Sequence, residues 1–531
     1  MKKNLIILGV TLAAIGVVFW IYSASNQTST LSEQKYPQSN EVNSLPDAQQ
    51  PMVIELDNGA EYDMVASFVK KEINGKEIKM LAYNGSVPAP ILKIPQGAEI
   101  TINFTNKTDV ETTVHSHGIR LDNQFDGVPD MTQKPIGVGE SFSYKIKLPD
   151  AGIYWYHPHM REDYAQEMGL YGNYWVVASN DDYWAPANRE LPIFLDDILL
   201  NENGIANFDK STTDHALMGR FGNTMLINGE NNYNLNVKRG EVVRLFLTNA
   251  ANTRTFNFSI PGAQMKLVGG DNGKYEKEVF VENVVIAPSE RSVLDVYFSK
   301  AGSYNLMHST PKNKYMLGVI NVSEEPAKQQ FGNDFMSLRI NNDVISDIDS
   351  FRKDFDRPAD KNLKLSLTMK SAMGGGEGQH MMHGGNMMNN SMMAMNDADP
   401  IEWEDDMAMM NQNSTTESLE WNLVDEDTGK KDMDIDWKFK VGDRVKIKIF
   451  NDPKSMHPMQ HPFHIHGQRF LVLNQDGKKN ENMVWKDTVL IPKGSTMEIL
   501  VEMSNPGEWM AHCHIAEHLE AGMMLGFTVK P

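Results

Sequence analysis

The chain has 531 residues, of which 41% are hydrophobic and 23% charged, and its formal net charge is −20 at pH 7. This length is too great for a single hydrophobic core and predicts about three domains of ordinary globular composition. The strong negative charge argues against nucleic acid as a partner and favours cations. The single cysteine, Cys513, excludes an internal disulfide.

The amino terminus predicts export. Met1-Lys2-Lys3 precedes an apolar stretch from Leu5 to Tyr22, which is long for a cleaved signal and close to the minimum for a membrane span. We expect residues 1–25 to be a signal peptide or an uncleaved anchor, with the bulk of the chain in the periplasm or cell envelope. Residues 26–51 are rich in Ser, Gln, Asn and Pro and predict a linker.

Three copies of one module follow the linker. Each copy contains an alternating run that begins at glycine and ends at asparagine, over residues 97–106, 240–249 and 442–451. Short alternating strands with little helix signal predict an all-β chain of three tandem Greek-key β-sandwiches. We place their boundaries at residues 52–182, 186–326 and 335–531.

A second repeated block ends each copy, and here the middle copy differs. The block contains His157-Pro158-His159 in the first copy, Met307-His308-Ser309 in the middle copy and His512-Cys513-His514 in the third. A metal cluster built from the histidine pairs must therefore lie where the first and third modules meet. The middle module is expected to act as a spacer, and its own histidines to be ordinary residues.

Four His-x-His pairs carry the metal-binding signal, at His115/His117, His157/His159, His464/His466 and His512/His514. Alternate residues of a strand point to one face and lie about 6.6 Å apart along it, so each pair suits two neighbouring ions better than one. Eight histidines shared among three ions give two or three ligands each, with positions left for a small oxygen ligand. Imidazole suits copper, zinc or iron.

Cys513 selects copper among these metals. One thiolate, two imidazoles from His461 and His518 and a thioether from Met523 suit a trigonal copper site with a weak axial ligand. Cys513 points to the opposite face of its strand from the two histidines that flank it. An electron that arrives at this copper therefore has a short covalent route to the three-ion cluster.

These motifs resemble the three-domain multicopper oxidases of the laccase type, from about residue 52 to the end. The resemblance implies three cupredoxin-like domains, four copper ions and the coupling of four one-electron oxidations of substrate to the reduction of O2 to two waters. It implies a type 1 copper at His461, Cys513, His518 and Met523 and a type 2 copper at His115 and His464. It also implies a type 3 pair, held by His117, His157 and His514 on one ion and His159, His466 and His512 on the other.

Two acids are candidates for catalytic roles. Asp126 matches an acid that in this family hydrogen-bonds water near the type 2 copper, although Asp126-Gly127 also suits a plain turn. Glu520 is a candidate for a proton route or a substrate contact, or else a solvated loop charge. The thioether of Met523 predicts a milder oxidant than leucine or phenylalanine would give at that position.

A Met-rich insert, at about 373–411, interrupts the third module. Thioethers select Cu(I), and the acidic residues near its end would concentrate cations. The insert resembles the Met-rich segment of periplasmic cuprous oxidases, which implies Cu(I) as substrate and Met369, Met373 and Met459 as its site. His457, however, stands where that pattern has an acid. A polar linker that merely scavenges copper is the alternative.

Two other functions remain open at the level of sequence. One is a laccase-type oxidase of phenols, amines, Fe(II) or Mn(II), and the other is a non-catalytic copper-binding or storage protein. The complete set of histidine pairs favours an enzyme that uses O2. Since one chain contains every ligand, a monomer is sufficient, and membrane attachment would be through residues 5–22.

Overall fold

The computed structural model describes residues 42–209, 212–370 and 399–531. The predicted signal or anchor segment, most of the predicted linker and most of the Met-rich insert, including Met373, lie outside these ranges. Within them, no helix is both long and apolar enough to span a membrane.

Two sheets form the first sandwich, with strand orders β3-β2-β5-β7 and β1-β4-β9-β8-β6. Strand β5 alternates buried and more exposed residues, as a strand with one face on the core should. The short helix α1, Glu162–Ala165, follows β8. The strands are β1 Val53–Glu55, β2 Glu61–Ile73, β3 Lys76–Tyr83, β4 Ile91–Pro95, β5 Glu99–Asn106, β6 His115–Ser116, β7 Ser141–Lys147, β8 Gly152–His157 and β9 Gly172–Val177.

The second sandwich also has two sheets, in the orders β13-β10-β15-β20-β17-β18 and β14-β22-β21-β16-β19, with a small β11-β12 hairpin beside them. Its apolar core lies between the two sheets. The strands are β10 Arg189–Ile198, β11 Leu200–Asn201, β12 Gly204–Ile205, β13 Thr224–Ile227, β14 Tyr233–Arg239, β15 Val242–Asn249, β16 Phe256–Ser259, β17 Gln264–Gly270, β18 Gly273–Val281, β19 Val284–Ile286, β20 Arg291–Tyr297, β21 Gly302–Ser309 and β22 Lys314–Pro326.

The third sandwich pairs β24-β23-β26-β31-β28-β29 with β25-β33-β32-β27-β30. Its helices are α2 Gly332–Met336, α3 Asn342–Asp349, α4 Ala408–Gln412 and α5 Ala516–Glu520. Its strands are β23 Lys361–Met369, β24 Leu419–Asp425, β25 Trp437–Lys440, β26 Arg444–Asn451, β27 His461–Ile465, β28 Arg469–Gln475, β29 Lys478–Lys479, β30 Thr488–Ile491, β31 Thr496–Glu502, β32 Gly507–Cys513 and β33 Met524–Lys530.

The sequence repeats occupy equivalent strands. The Gly-to-Asn runs contain β5, β15 and β26, and the second blocks contain β8, β21 and β32, each the fourth or third strand of a five-stranded sheet. The predicted all-β fold of three tandem sandwiches is therefore confirmed. The strands span residues 53–177, 189–326 and 361–530; the domain boundaries drawn from the sequence stay predictions.

Candidate metal centre

Eight imidazoles meet between the first and third sandwiches. Each sandwich contributes one strand pair, because His115 faces His157 across β6 and β8, while His464 faces His512 across β27 and β32. The rings of the two sandwiches interleave, with the His115 ring stacked 3.9 Å from that of His466 and the His117 ring 3.9 Å from that of His464. All eight are at most 6% exposed.

Three of these imidazoles point their Nε2 atoms at one small volume. The His117 and His157 Nε2 atoms are 2.8 Å apart, and the His514 Nε2 atom lies 3.0 Å from the first and 3.4 Å from the second. Three nitrogens bound at about 2.0 Å around one ion would be about 3.5 Å apart, so this donor set fits a metal ion.

A second group is built in the same way with the contributions reversed. The His466 and His512 Nε2 atoms are 3.0 Å apart, and His159 completes the group. The first group thus takes two imidazoles from the first sandwich and one from the third. The second group takes one imidazole from the first sandwich and two from the third.

The two remaining imidazoles, His115 and His464, lie beside His117. Their Nε2 atoms are buried and have no hydrogen-bond partner among the described residues. They offer a two-nitrogen site next to the two three-nitrogen sites, which leaves room for oxygen ligands.

Hydrogen bonds at Nδ1 hold the rings so that Nε2 is free. His115 donates to the carbonyl oxygen of Asp126 at 2.7 Å and His464 to that of Asp487 at 2.8 Å. His512 donates to the carbonyl oxygen of Cys513 at 2.8 Å. An acceptor at Nδ1 selects the tautomer whose Nε2 carries a lone pair, which is the form that binds metal.

Burial keeps most of these rings neutral. Desolvation, followed by repulsion from neighbouring imidazoles, lowers the pKa of His117, His157, His466 and His512 well below its ordinary value. Neutral imidazole is the ligand form, so the site accepts metal at neutral pH without first losing protons.

A separate group surrounds Cys513. Its Sγ atom lies 3.5 Å from His461 Nδ1 and 3.8 Å from His518 Nδ1, and the two nitrogens are 3.3 Å apart. The ring of Trp421 packs against both imidazoles. Burial raises the pKa of the Cys513 thiol, so a thiolate here requires a bound cation.

Met523 is fully buried behind this group. Its N–H donates to the carbonyl oxygen of His518 at 3.0 Å, and its own carbonyl oxygen accepts from the Cys513 N–H at 3.1 Å. These bonds fix the backbone next to Cys513, and the axial role of the thioether stays a prediction.

Strand β32 joins the groups as its alternation predicts. Cys513 belongs to the sulfur-containing group, while His512 and His514 belong to the two three-nitrogen groups. Consecutive residues therefore connect all three sites through covalent bonds.

Asp126 lies within the histidine cluster. It is fully buried, and its Oδ2 accepts from His466 Nδ1 at 2.8 Å while its Oδ1 lies 3.3 Å from His115 Nδ1. Asp126 therefore orients rings from both sandwiches, His466 through its carboxylate and His115 through its backbone carbonyl oxygen. This is more than a plain turn aspartate would do.

Glu520 contacts helix α1. Its carboxylate accepts from the Glu162 N–H at 3.3 Å, and burial, with repulsion from Asp163, raises its pKa to about 7. Glu162 itself lies beside the cluster, with its carboxylate 3.4 Å from His159 Nδ1 and 4.0 Å from His157 Nδ1.

Sequence reasoning missed Glu162, Asp487 and Ser289. Glu162 stands three residues after His159, one helical turn away, and that spacing was the only available signal for it. Ser289 accepts from His117 Nδ1 at 2.9 Å, so the middle sandwich, expected to act as a spacer, also reaches the cluster.

The predicted Cu(I) ligands occupy different surroundings. Met459 is fully buried in the third core, two residues before His461, whereas Met369 is 37% exposed at the end of β23. Burial and the nearby Lys493 lower the pKa of His457 to about 4, so its ring is neutral.

Models of one protein family match three stretches of the chain. Residues 67–181, 170–325 and 400–531 each match a model described as multicopper oxidase. The chain belongs to the multicopper oxidase family. The chain is 28% identical to the multicopper oxidase mco of Staphylococcus aureus, with 87% of each protein covered. It is 25% identical to the copper resistance protein A homolog of Pseudomonas syringae pv. tomato, with 92% of this chain and 94% of the relative covered.

Solved structures have the same fold. The multicopper oxidase of Campylobacter jejuni, described as a metallo-oxidase, matches with a TM-score of 0.64 at 24% identity and covers 92% of this chain and 98% of its own. The likeness confirms the predicted cupredoxin-like sandwiches. As a multicopper oxidase, the protein is an oxidoreductase with four copper ions, and members of its family use O2 and Cu(I) or small reducing substrates.

Proposed function

We propose that this multicopper oxidase is exported and oxidises Cu(I), coupling four one-electron oxidations to the reduction of O2 to two waters. The position of the last part of the Met-rich insert is the main support for this proposal. Near the end of the insert, Glu402 hydrogen-bonds Gln460, the residue immediately before His461, a candidate ligand of the sulfur-containing site.

Paired hydrogen bonds hold this end of the insert in place. The Glu402 N–H donates to Gln460 Oε1 at 2.7 Å, and Gln460 Nε2 donates back to the Glu402 carbonyl oxygen at 3.0 Å. Lys493 adds an ion pair to the Glu402 carboxylate at 3.0 Å. Gln460 is the residue between Met459 and His461, so Glu402 of the insert lies beside the segment that carries a candidate ligand of the electron-accepting site.

Thioethers accompany this contact. Met407 and Met410 are partly buried against the third core, whereas Met409 is 81% exposed. Soft sulfur ligands favour Cu(I) over Cu(II). These methionines of the insert, together with the buried Met459 two residues before His461, support Cu(I) as the substrate. Met369 and Met373 are proposed to contribute to the same substrate site.

The ligand assignment is part of the proposal. The sulfur-containing group would hold the type 1 copper through His461, Cys513 and His518, with Met523 axial, and His115 and His464 would hold the type 2 copper. The type 3 ions would be held by His117, His157 and His514 and by His159, His466 and His512. Bound copper supplies the electron acceptor at the first site and the centre for O2 reduction at the others.

The carboxylates supply orientation and protons. Asp126 holds rings of both sandwiches through hydrogen bonds, and we assign it to proton delivery beside the type 2 site. Glu520 contacts the backbone of Glu162, whose carboxylate lies 3.4 Å from His159 Nδ1. We assign Glu520 to a second proton route.

Replacing the methionines between 373 and 410 by leucine tests the choice of reductant. Leucine keeps the apolar packing of Met407 and Met410 but removes the thioethers. The kcat/KM for Cu(I) should fall about tenfold or more, equivalent to roughly 1.4 kcal/mol of lost interaction, while oxidation of a phenol stays unchanged. The matched control replaces Met316 and Met336, two exposed methionines outside the insert, by leucine.

Each alternative function gives a different result. Unchanged Cu(I) turnover in the leucine variant would assign the insert no part in catalysis and favour a laccase-type oxidase. If protein that holds its copper consumed no oxygen when given Cu(I) and none when given a phenol, copper storage would be favoured.

A further inference from the structure

We propose that Ser289 of the middle sandwich is a positioning residue for the oxygen-reducing cluster, because it fixes the tautomer of His117. The inference rests on the ligand assignment proposed above and does not depend on Cu(I) as the reductant.

A chain of hydrogen bonds with a defined direction carries the inference. Thr488 Oγ1 donates to Asp487 Oδ1 at 2.9 Å, and a carboxylate can only accept. With its proton used, Thr488 Oγ1 accepts from Ser289 Oγ at 3.2 Å. Ser289 Oγ in turn accepts from His117 Nδ1 at 2.9 Å, which leaves a lone pair on His117 Nε2.

Arg291 anchors the far end of this chain. Its guanidinium binds both oxygens of Asp487, at 2.7 Å to Oδ1, and keeps that carboxylate ionised as an acceptor. The same side chain donates to the carbonyl oxygen of Ser289 at 3.0 Å and to that of Ile153 at 3.3 Å. A fully buried arginine thus connects residues from all three sandwiches.

The backbone around this network is shaped to admit it. Gly118 follows His117 with φ of +71°, and a Cβ there would lie 2.3 Å from Asp487 Oδ2. Ser289 has φ of +73°, a left-handed conformation that favours glycine over a residue with a side chain. The Ser289 hydroxyl is therefore presented from a backbone position that is more costly for serine than for glycine.

The hydrogen-bond chain that includes Ser289 reaches a second ring of the cluster through Thr488. His464 Nδ1 lies 3.1 Å from Thr488 Oγ1, and the His464 ring stacks on that of His117. Loss of the Ser289 hydroxyl would release His117 to rotate or to protonate Nε2, and either change removes a ligand from its group.

Ser289→Gly and Ser289→Ala, made in the full copper-loaded chain, test the proposal. Glycine removes the hydroxyl and relieves the left-handed strain, whereas alanine removes the hydroxyl and keeps the strain. Both should lose cluster copper to a chelator about 10–100-fold faster than wild type, the usual effect of deleting a partner of a metal-bound histidine. The electron paramagnetic resonance spectrum of the cluster should change, while the visible absorption of the Cys513 site should not.

The melting temperature of the copper-free protein distinguishes a positioning role of Ser289 from a role in folding. The melting temperature of copper-free Ser289→Gly should equal or exceed that of wild type, and Ser303→Ala, an exposed serine of the same sandwich, should match wild type throughout. Wild-type copper retention and an unchanged spectrum in Ser289→Gly would overturn this inference alone. Failure of the wild-type chain to hold copper at the histidine cluster would overturn the ligand assignment, and this inference with it.

Discussion

Strands β21 and β32 occupy the same place in two sandwiches but do different chemistry. In the middle sandwich His308 lies opposite Phe258, and in the third sandwich Cys513 lies opposite Phe463, in the same register. His308 and Cys513 are both fully buried. The inward position of this strand is therefore a core position whether or not it binds metal.

The outward faces of the two strands account for the difference. Met307 and Ser309 are only partly buried, whereas the equivalent His512 and His514 are covered by the imidazoles of the first sandwich. A metal cluster needs the ligand residues and also a second sandwich that closes over them. Strand β21 of the middle sandwich has neither the ligand residues nor a covering sandwich. The middle sandwich contributes instead through Ser289, in the loop between β19 and β20.

Cys513→Ser should have the largest effect, since it removes from the third sandwich the one thiolate that distinguishes strand β32 from β21. Oxidation of every reductant should fall to background, and the intense visible absorption should disappear. The histidine groups keep all their nitrogens, so the protein should still bind the other three copper ions. Copper analysis and visible spectroscopy check this prediction, and a variant that still turned over substrate would contradict it.

Asp126→Ala should have the next largest effect, because it removes the carboxylate that accepts from His466 and lies 3.3 Å from His115 Nδ1. Copper affinity of the cluster should fall about 10–100-fold, as measured by competition with a chelator. Asp122→Ala, an exposed acid nearby, is the control. Equal copper affinity in the two variants would show that the hydrogen bond from His466 to the Asp126 carboxylate does not matter.

The smallest predicted effect is that of His308 on the pH dependence of stability. Burial, aided by Arg254, lowers its pKa to about 4, while the nearby Glu404 raises it. As the pH falls, His308 takes up a proton near pH 6.5 in the unfolded chain but not in the folded chain. Its contribution to the free energy of unfolding is therefore complete above pH 6.5 and is lost as the pH falls towards 4. The loss is at most about 3 kcal/mol.

His308→Asn isolates this contribution. The asparagine oxygen can still accept from the Asn257 N–H, which now donates to His308 Nδ1 at 3.0 Å, but the side chain does not titrate. In urea unfolding of the copper-free protein, the variant should lose less free energy of unfolding than wild type between pH 6.5 and 4. Parallel losses would show that His308 does not titrate in this range.

Much of the fold was predictable because the module is repeated. Three matching blocks predicted three sandwiches, and alternation along β32 predicted that Cys513 and its flanking histidines would join different groups. The ligand sets came from a family resemblance. Ser289 and Asp487 were not predictable, since their contacts with histidines join residues distant in sequence. Met369 is exposed and Met459 buried, a difference that spacing alone did not indicate.

Oxygen uptake by the copper-loaded protein with Cu(I) is the most direct test of the central claim. The wild-type chain should consume one O2 for every four Cu(I) ions oxidised and form water, whereas Cys513→Ser protein should consume no more than buffer. Uptake equal in the two proteins, or hydrogen peroxide as the product, would contradict it.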